Sequence, residues 1–231
     1  IIIRSATKMT KEIIKASPHL KFIARAGVGL DNVDVPTAKE LGMGVINTPG
    51  ASSQSVAELV FAHLFGMVRF LHDSNREMPL DGEKEFSKLK KKYAEGRELR
   101  GKCLGIIGIG RIGQAVAKIA LGVGMKVIAF DPYVKEVEME LDFQGTDQKI
   151  KVRINTVSME EVLKNSDFIT LHVPGGKQPV ITGKEIEMMK NGVGIVNASR
   201  GGVISENDLL VGLRKGKVAY AGLDVFENEP A

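Results

Sequence analysis

The sequence predicts an α/β fold built on a doubly wound parallel sheet. Short apolar segments alternate with amphipathic segments along most of the chain, a pattern typical of strand–helix–strand units with helices on both faces of a sheet. The predicted strands are residues 102–107, 126–130, 168–172, 193–197 and 218–223. The predicted helices are residues 112–121, 159–164, 184–189 and 206–214. Ser205 and Asp208 have the Ser-x-x-Asp spacing of a helix cap, which predicts the start of the last of these helices.

A smaller α/β unit precedes the main pattern. Residues 20–24 and 45–47 have strand character, and residues 36–41 predict a short helix. The run Asn47-Thr48-Pro49-Gly50 interrupts both helix and strand. We therefore expect residues 1–48 to form a partial, flavodoxin-like domain whose beginning is missing, and residues 49–231 to form the larger domain.

A long apolar helix is expected from Ser55 to about Asn75. Ser55 and Glu58 have the spacing of a capping box at its start. Residues at three- and four-residue spacing form one wide face: Val56, Leu59, Val60, His63, Leu64, Met67, Val68 and Leu71. Burial in the chain's own core and burial in a subunit interface explain this face equally well.

Composition argues against several function classes. The net charge is only +4, and the basic run at residues 84–92 is better explained as a solvated helix face or loop than as a nucleic-acid site. Aromatic residues make up 5% of the chain and Trp is absent, which argues against a base-stacking platform. The four histidines lack the paired spacing of metal ligands, and no apolar run is long enough to span a membrane. The single cysteine, Cys103, fits a reducing cytoplasm.

The segment Gly108-Ile109-Gly110-Arg111-Ile112-Gly113 predicts a dinucleotide site. This GxGxxG pattern lies between a predicted strand and a predicted helix, and Asp131 closes the next strand 18 residues after Gly113. Together these features form the Rossmann fingerprint. Gly108 would permit a tight turn, Gly110 would let a pyrophosphate approach the backbone, and Gly113 would let helix and strand pack closely. Asp131 would bind the ribose hydroxyls and repel a 2′-phosphate, so we expect NAD rather than NADP.

With these residues in place, the sequence resembles the D-2-hydroxyacid dehydrogenases, and among them the members that oxidise 3-phosphoglycerate. The resemblance covers essentially the whole chain. Besides the glycine fingerprint, it is carried by residues 4–8, 25–34, 47–50, 197–202 and 222–230.

The resemblance implies roles for individual residues. Arg200 matches the catalytic arginine, which binds the substrate carboxylate and polarises the adjacent carbonyl or hydroxyl. Glu229 matches the catalytic glutamate that orients a proton-transferring histidine, and Asp224 matches a residue on the nicotinamide side. Further positions match residues that line the cofactor: Arg111, Ile112, Val173, Ala198, Ser199 and Arg200 itself.

A second group of residues is expected to bind substrate. Alternating glycines in Gly27-Val28-Gly29 can expose backbone N–H groups to an anion, although a plain turn is the alternative explanation. Arg4 and Arg25 match family arginines near the substrate, and the resemblance implies that they bind a phosphate there. The expected substrate-binding residues are Arg4, Arg25, Val28 and Gly29.

Two departures from the family pattern stand out. The family's histidine would follow Ala231, and none of the four histidines in the chain matches it; His172 matches a position on the cofactor side. Residues 140–155 are long and polar for the family, and we expect them to form a variable surface loop.

The resemblance implies hydride transfer between the carbinol carbon of a small 2-hydroxy acid and NAD, with substrate in a cleft between the two domains. Oxidation of 3-phosphoglycerate, which opens serine biosynthesis, is the expected reaction. Reduction of glyoxylate or hydroxypyruvate and a D-lactate-type reaction stay open. A different class, the NAD-binding corepressors, also stays open. We further expect a homodimer or higher homo-oligomer, and neither a nucleic-acid nor a membrane partner.

Overall fold

The computed structural model describes residues 1–229, so Pro230 of the last motif and Ala231 lie outside the described residues. The chain forms two compact units that divide between Ser55 and Val56. The smaller unit contains β1 (Ile2–Ile3), α1 (Lys11–Lys15), β2 (Phe22–Arg25), α2 (Val35–Glu40) and β3 (Gly44–Asn47). Its three strands are parallel in the order β1-β2-β3. The division falls a few residues after the break expected at Pro49, and the assignment of the domains stays a prediction.

Two helices follow, α3 (Ser53–Val68) and α4 (Leu71–Tyr93). The prediction of one helix from Ser55 to about Asn75 was wrong, because Phe70 adopts a left-handed conformation with φ 53° that ends α3. The expected capping box is wrong as well, since Ser55 lies inside the first turn of α3.

Part of the predicted face packs into the core of the larger unit, which supports the first of its two explanations for the residues Val56, Val60, Leu64, Met67 and Val68. Leu71 of the same predicted face is exposed. The basic run at residues 84–92 lies in the last turns of α4 and is largely exposed, as expected for a solvated helix face. Among the described residues, no single helix is long and apolar enough to cross a membrane; only α3 and α4 together, bent by 52°, reach the required length and composition.

The larger unit continues with alternating strands and helices. They are β4 (Cys103–Ile107), α5 (Arg111–Val123), β5 (Lys126–Phe130), β6 (Glu136–Asp142), β7 (Lys149–Asn155), α6 (Met159–Asn165), β8 (Phe168–Leu171), α7 (Gly183–Met188), β9 (Val193–Asn197), α8 (Glu206–Arg214) and β10 (Val218–Leu223). Five strands form a parallel sheet in the order β10-β9-β8-β4-β5, which confirms the predicted doubly wound sheet. Ser205 caps α8 as expected, since its hydroxyl accepts the N–H of Asp208 at 3.4 Å.

Alternate residues of the strands enter two separate cores. Ile106 packs with α3 and α5, whereas the next residue, Ile107, packs with α6, α7 and α8. Val196 and Ile195 of β9 divide between the two cores in the same way. Because side chains alternate along a strand, this division places helices on both faces of the sheet.

The expected surface loop at residues 140–155 is instead most of a β-hairpin. Strands β6 and β7 pair antiparallel from Glu136 opposite Asn155 to Asp142 opposite Lys149. Gly145 has φ 84° in the turn between them, a conformation that favours glycine. Apolar residues alternate with charged ones along both strands, and Val137, Met139 and Ile154 are buried against the core that contains α5. This period-two pattern explains why a polar-looking segment forms strands.

Candidate functional site

The carboxyl ends of the five parallel strands form one straight edge. Their last residues pair across the sheet in a single line: Phe130, Ile107, Leu171, Asn197 and Leu223. The loops that leave this edge, together with the first turn of α5, contain every residue expected to bind the cofactor: Gly108, Gly110, Arg111, Ile112, Gly113, Asp131, Val173, Ala198, Ser199, Arg200 and Asp224. In open α/β sheets, ligands bind outside the carboxyl ends of the strands. The fold therefore brings residues from five separate segments to the edge where a dinucleotide would lie.

The three fingerprint glycines differ in what surrounds them. A Cβ on Gly108, whose φ is 94°, would lie 2.5 Å from the carbonyl oxygen of His172. A Cβ on Gly113 would collide with the carbonyl oxygen of Gly108. Among residues 1–229, a Cβ on Gly110 would meet no atom within 4 Å beyond its own neighbours in the chain. Close packing thus requires glycine at the first and third positions, whereas the middle one faces the open space that a phosphate needs.

Helix α5 begins at this glycine-rich turn. Gly110 is its N-cap and offers no side-chain cap, and the first turn of the helix contains no acidic residue. The N–H groups at the start of an α-helix have no partner within the helix, and the helix dipole makes this end electropositive. The start of α5 therefore fits a pyrophosphate.

The carboxylate of Asp131 contributes to the structure of the edge as well as to the predicted ribose site. Its Oδ2 accepts the N–H of Ile109 at 3.1 Å, and its Oδ1 accepts the N–H groups of Tyr133 and Val134 at 2.9 and 3.2 Å. A carboxylate has about four acceptor positions. One position on Oδ2 therefore remains for a ribose hydroxyl, so Asp131 fits the ribose of NAD while it braces the turn.

Asn197 organises the loop that carries Arg200. Asn197 is 2% exposed. Its Nδ2 donates to the carbonyl of Arg200 at 2.9 Å, and its Oδ1 accepts the N–H and the hydroxyl of Ser199 at 3.1 and 2.8 Å. Its carbonyl accepts the N–H of Asp224 at 3.0 Å. Sequence reasoning missed this residue, although an amide side chain that ends a buried strand just before a predicted site is a usable signal.

The two predicted catalytic residues lie on neighbouring loops. A Cβ on Gly201 would collide with the carbonyl oxygen of Phe226, so the loop after β9 packs directly against the segment that leads to Glu229. Arg200 is half-buried, and its Nη1 donates to the carbonyl of Ser199 at 2.7 Å. Glu229 is exposed, and its Oε1 accepts the N–H of Phe226 at 2.9 Å. Their catalytic roles stay predictions.

His172 lies directly after β8 and contacts the glycine-rich turn through its backbone. Its Nε2 lies 3.0 Å from the hydroxyl of Thr170, and its Nδ1 is buried with no hydrogen-bond partner among residues 1–229. Burial lowers the pKa of His172 to about 4. The ring is therefore neutral at pH 7.

In the smaller unit, two expected substrate residues lie at adjacent strand ends. Arg4 follows β1 directly and is exposed, and Arg25 is the last residue of β2, opposite Ile3. The Nη2 of Arg25 donates to the hydroxyl of Ser5 at 3.2 Å. Its guanidinium fills the space where a Cβ on Gly27 would lie, so glycine is required there. The buried Nε of Arg25 has no hydrogen-bond partner among residues 1–229, a donor that fits an anion.

The loop with Val28 and Gly29 is held by a neighbouring strand end. Asn47, the last residue of β3, donates from Nδ2 to the carbonyl of Val28 at 2.7 Å. The N–H of Thr48 donates to the carbonyl of Gly27 at 3.1 Å. The three strand ends and this loop thus form one connected edge in the smaller unit.

Comparison with known proteins identifies the relatives of this chain. Residues 61–231 match the family described as D-isomer specific 2-hydroxyacid dehydrogenase, NAD binding domain. A hydroxypyruvate reductase of Thermotoga maritima is 47% identical over all of this chain, which spans 70% of that protein. A D-3-phosphoglycerate dehydrogenase of Methanocaldococcus jannaschii is 43% identical over all of this chain, which spans 41% of that protein.

The solved structures agree with the sequence comparisons. D-lactate dehydrogenase from Aquifex aeolicus, complexed with NAD and lactic acid, superposes with a TM-score of 0.78 at 35% identity. The superposition covers 99% of this chain and 65% of that one. The chain accordingly belongs to the D-2-hydroxyacid dehydrogenases, and it contains the NAD-binding domain of that family.

Proposed function

We propose that this protein oxidises D-2-hydroxy acids with NAD, and that 3-phosphoglycerate is its substrate. The observation that carries the proposal is the single sheet edge that gathers the glycine-rich turn, Asp131, Arg200 and Asp224. The nicotinamide, when bound, accepts or supplies the hydride. The protein supplies position and charge: Arg200 would grip the substrate carboxylate, and Asp224 would hold the nicotinamide side.

The choice of a phosphorylated substrate depends on the smaller unit. Arg25 donates to Ser5 and occupies the space beside Gly27, and its buried Nε has no hydrogen-bond partner within residues 1–229. Arg4 directly follows the adjacent strand. A guanidinium is always charged and matches phosphate geometry. Two such groups at one edge support a substrate with a second anion besides its carboxylate.

The runner-up is an enzyme for smaller keto acids, namely glyoxylate, hydroxypyruvate or pyruvate. The similarity to hydroxypyruvate reductase, over 70% of that protein, favours this alternative. A 40% identical glyoxylate reductase from Thermococcus litoralis favours it as well. A protein of another class, an NAD-binding corepressor, would bind NAD and turn over none of these acids.

The test is a comparison of kcat/KM for NADH oxidation with 3-phosphohydroxypyruvate, hydroxypyruvate, glyoxylate and pyruvate. We expect the phosphorylated acid to be preferred, and Arg25→Ala to remove that preference while the rates with unphosphorylated acids change little. Arg153→Ala, on the exposed face of the β6–β7 hairpin, is the matched control. Equal or better turnover of hydroxypyruvate by the unmodified protein would favour the runner-up.

We also infer a homodimer or higher homo-oligomer. Most of the predicted apolar face of α3 is buried in the chain's own core, so it gives this inference little support. Helix α4 instead exposes Leu71, Leu80 and Phe86. Light scattering at micromolar concentration tests the assembly, and a monomer there would contradict it. Leu80→Glu should weaken the oligomer without unfolding the chain, since Leu80 is 80% exposed.

A further inference from the structure

We propose that Glu206 is a positioning residue for the predicted catalytic glutamate, Glu229. The two residues lie on different elements, Glu206 at the start of helix α8 and Glu229 in the segment after β10. Glu206 would act through Glu227, with which it makes two reciprocal hydrogen bonds. The proposal rests on the proposed function and on the role that the resemblance implies for Glu229, and it is independent of which hydroxy acid is the substrate.

Each of the two glutamates, Glu206 and Glu227, accepts the backbone N–H of the other. The N–H of Glu206 donates to Oε1 of Glu227 at 2.9 Å, and the N–H of Glu227 donates to Oε1 of Glu206 at 2.6 Å. We call this pair of bonds the glutamate clasp. Hydrogen bonds to a charged acceptor are roughly twice as strong as those between neutral groups. Because both bonds join the same two segments, they fix the orientation of one segment against the other as well as their separation.

The α8 side of the clasp is a rigid support. The N–H of Ser205, directly before the helix, donates to the carbonyl of Ile181 at 2.9 Å, and the hydroxyl of Ser205 caps the helix at Asp208. Further along α8, Leu209 is buried in the core that contains α6 and α7. The first N–H groups of a helix have no partner within it, and the helix dipole favours a negative charge there. The carboxylate of Glu227 therefore contributes to the cap of α8.

The other side of the clasp is the short segment that ends at Glu229. At its start, the N–H of Asp224 donates to the carbonyl of the last residue of β9 at 3.0 Å. Its middle packs against the loop after β9, where a Cβ on Gly201 would collide with the carbonyl oxygen of Phe226. Glu227 comes next, two residues before Glu229. Of these three attachments, the clasp lies nearest in sequence to the predicted catalytic carboxylate.

The clasp affects the carboxylate of Glu229 through the backbone. Oε1 of Glu229 accepts the N–H of Phe226 at 2.9 Å, so the orientation of this carboxylate depends on residues 226–229. In the proposed reaction the carboxylate orients a histidine and favours its protonated form, since a nearby negative charge raises the pKa of an imidazole. Without the clasp this negative charge would be displaced, and the pKa of the histidine would fall.

Steady-state kinetics of the whole protein test the proposal with Glu206→Ala, Glu206→Gln and Asn207→Ala. Glu206→Ala removes the acceptor for the N–H of Glu227. We expect its kcat for keto-acid reduction to fall about tenfold or more, since a displacement of about 1 Å can cost roughly 100-fold. Calorimetry should show unchanged affinity for NAD, because Asp224 keeps its own bond to β9. Glu206→Gln keeps an acceptor oxygen and should retain the activity of the parent protein.

Two controls separate positioning from a general loss of structure. Asn207→Ala changes an exposed side chain in the same turn of α8 and should leave kcat unchanged. The thermal midpoint shows whether Glu206→Ala stays folded, and amide exchange at Glu227 should be faster in this variant because its N–H has lost its acceptor.

The pH profile supplies a readout that a purely structural role would not move. In keto-acid reduction the histidine donates its proton, so the alkaline limb of kcat/KM should move to lower pH in Glu206→Ala and stay in place in Glu206→Gln. The same kcat and pH profile in Glu206→Ala as in an active parent protein would overturn the proposal. A loss of kcat that also occurs in Glu206→Gln, or that accompanies weaker NAD binding, would overturn it too. A parent protein that turns over none of the acids would instead contradict the proposed function, and this proposal with it.

Discussion

Asp131 and Ile109 are joined by a hydrogen bond between the ends of two adjacent strands. The carboxylate oxygen Oδ2 of Asp131 accepts the backbone N–H of Ile109 at 3.1 Å. The residue expected to recognise the ribose therefore also holds the middle of the glycine-rich turn. Nucleotide choice and the shape of the phosphate site are consequently coupled through one side chain.

We expect Asp131→Asn to bind NAD about tenfold more weakly and to discriminate less against NADP. The charge that would repel a 2′-phosphate is lost, and hydrogen bonds to a charged acceptor contribute about 1.5–3 kcal/mol. Calorimetric titration of both nucleotides gives the ratio of affinities. Asp142→Asn, an exposed carboxylate in the hairpin, is the control. An unchanged ratio in Asp131→Asn would show that selectivity comes from elsewhere.

Alanine substitutions at three glycines separate folding from binding. Gly113→Ala should lower the free energy of unfolding by about 1–3 kcal/mol or more, because its Cβ would collide with the backbone of Gly108. Gly110→Ala should leave stability nearly unchanged, since its Cβ would meet no described residue within 4 Å apart from its chain neighbours. The same change should weaken NAD binding at least tenfold, which corresponds to a loss of roughly 1.4 kcal/mol or more. Gly122→Ala, an open position in α5, should gain about 0.5–1 kcal/mol of stability and bind NAD normally. Urea unfolding and calorimetry measure both quantities, and normal NAD binding by Gly110→Ala would count against the phosphate site.

Asn197→Ala and Arg200→Lys should affect different properties. Removing the buried Asn197 amide leaves its backbone partners unpaired and should lower the free energy of unfolding by about 1–3 kcal/mol. Arg200→Lys keeps the charge and the backbone carbonyl that Asn197 binds, so stability should stay within about 0.5 kcal/mol. Its kcat/KM for the preferred acid should fall about 10- to 100-fold, because the two-bond grip on a carboxylate is lost. A stable, fully active Arg200→Lys would remove Arg200 from the catalytic residues.

The stability of the fold should fall in mild acid because of His172. Its pKa in the folded protein is lowered to about 4, whereas an exposed histidine titrates near 6.5. The unfolded chain therefore binds the extra proton between these values, and stability present above pH 6.5 is lost as the pH falls toward 4. The full loss is on the order of 3 kcal/mol.

Urea unfolding at pH 7.5, 6 and 5 measures this loss. The matched variant is His172→Gln, which should be less stable at pH 7.5 but should show a flatter pH dependence. A parallel pH dependence in the parent protein and the variant would assign the acid sensitivity to other groups.

Much of the larger sheet is predictable because its signals are local. The apolar segment that becomes β9 and the glycine fingerprint before α5 each depend on neighbouring residues in the sequence. Parallel strands place their carboxyl ends at the same edge of the sheet. The residues at the candidate cofactor edge could therefore be predicted from sequence alone.

The features that were missed have different physical causes. Phe70 has a left-handed backbone conformation, and the centroid of its ring lies 6.1 Å from that of Tyr93. No pattern in the neighbouring sequence predicts that the helix breaks there. The bracing role of Asn197 needs the loop geometry around Arg200. The hairpin was obscured because charged residues on its exposed face hid the apolar alternation of residues such as Met139.

The β6–β7 hairpin has a consequence for behaviour at high concentration. Strand β5 ends the parallel sheet, and an open strand edge can recruit strands from other molecules. Here the segment after β7 occupies part of that edge, since Thr156 bridges Ala129 and the N–H of Val157 donates to the Ala129 carbonyl at 2.8 Å. The hairpin's outer face presents paired charges, such as Lys149 with Glu140 at 2.7 Å, which favour solvation over strand addition. A chain without this hairpin would expose the core surface that Val137, Met139 and Ile154 cover, and it would be prone to aggregate as it folds.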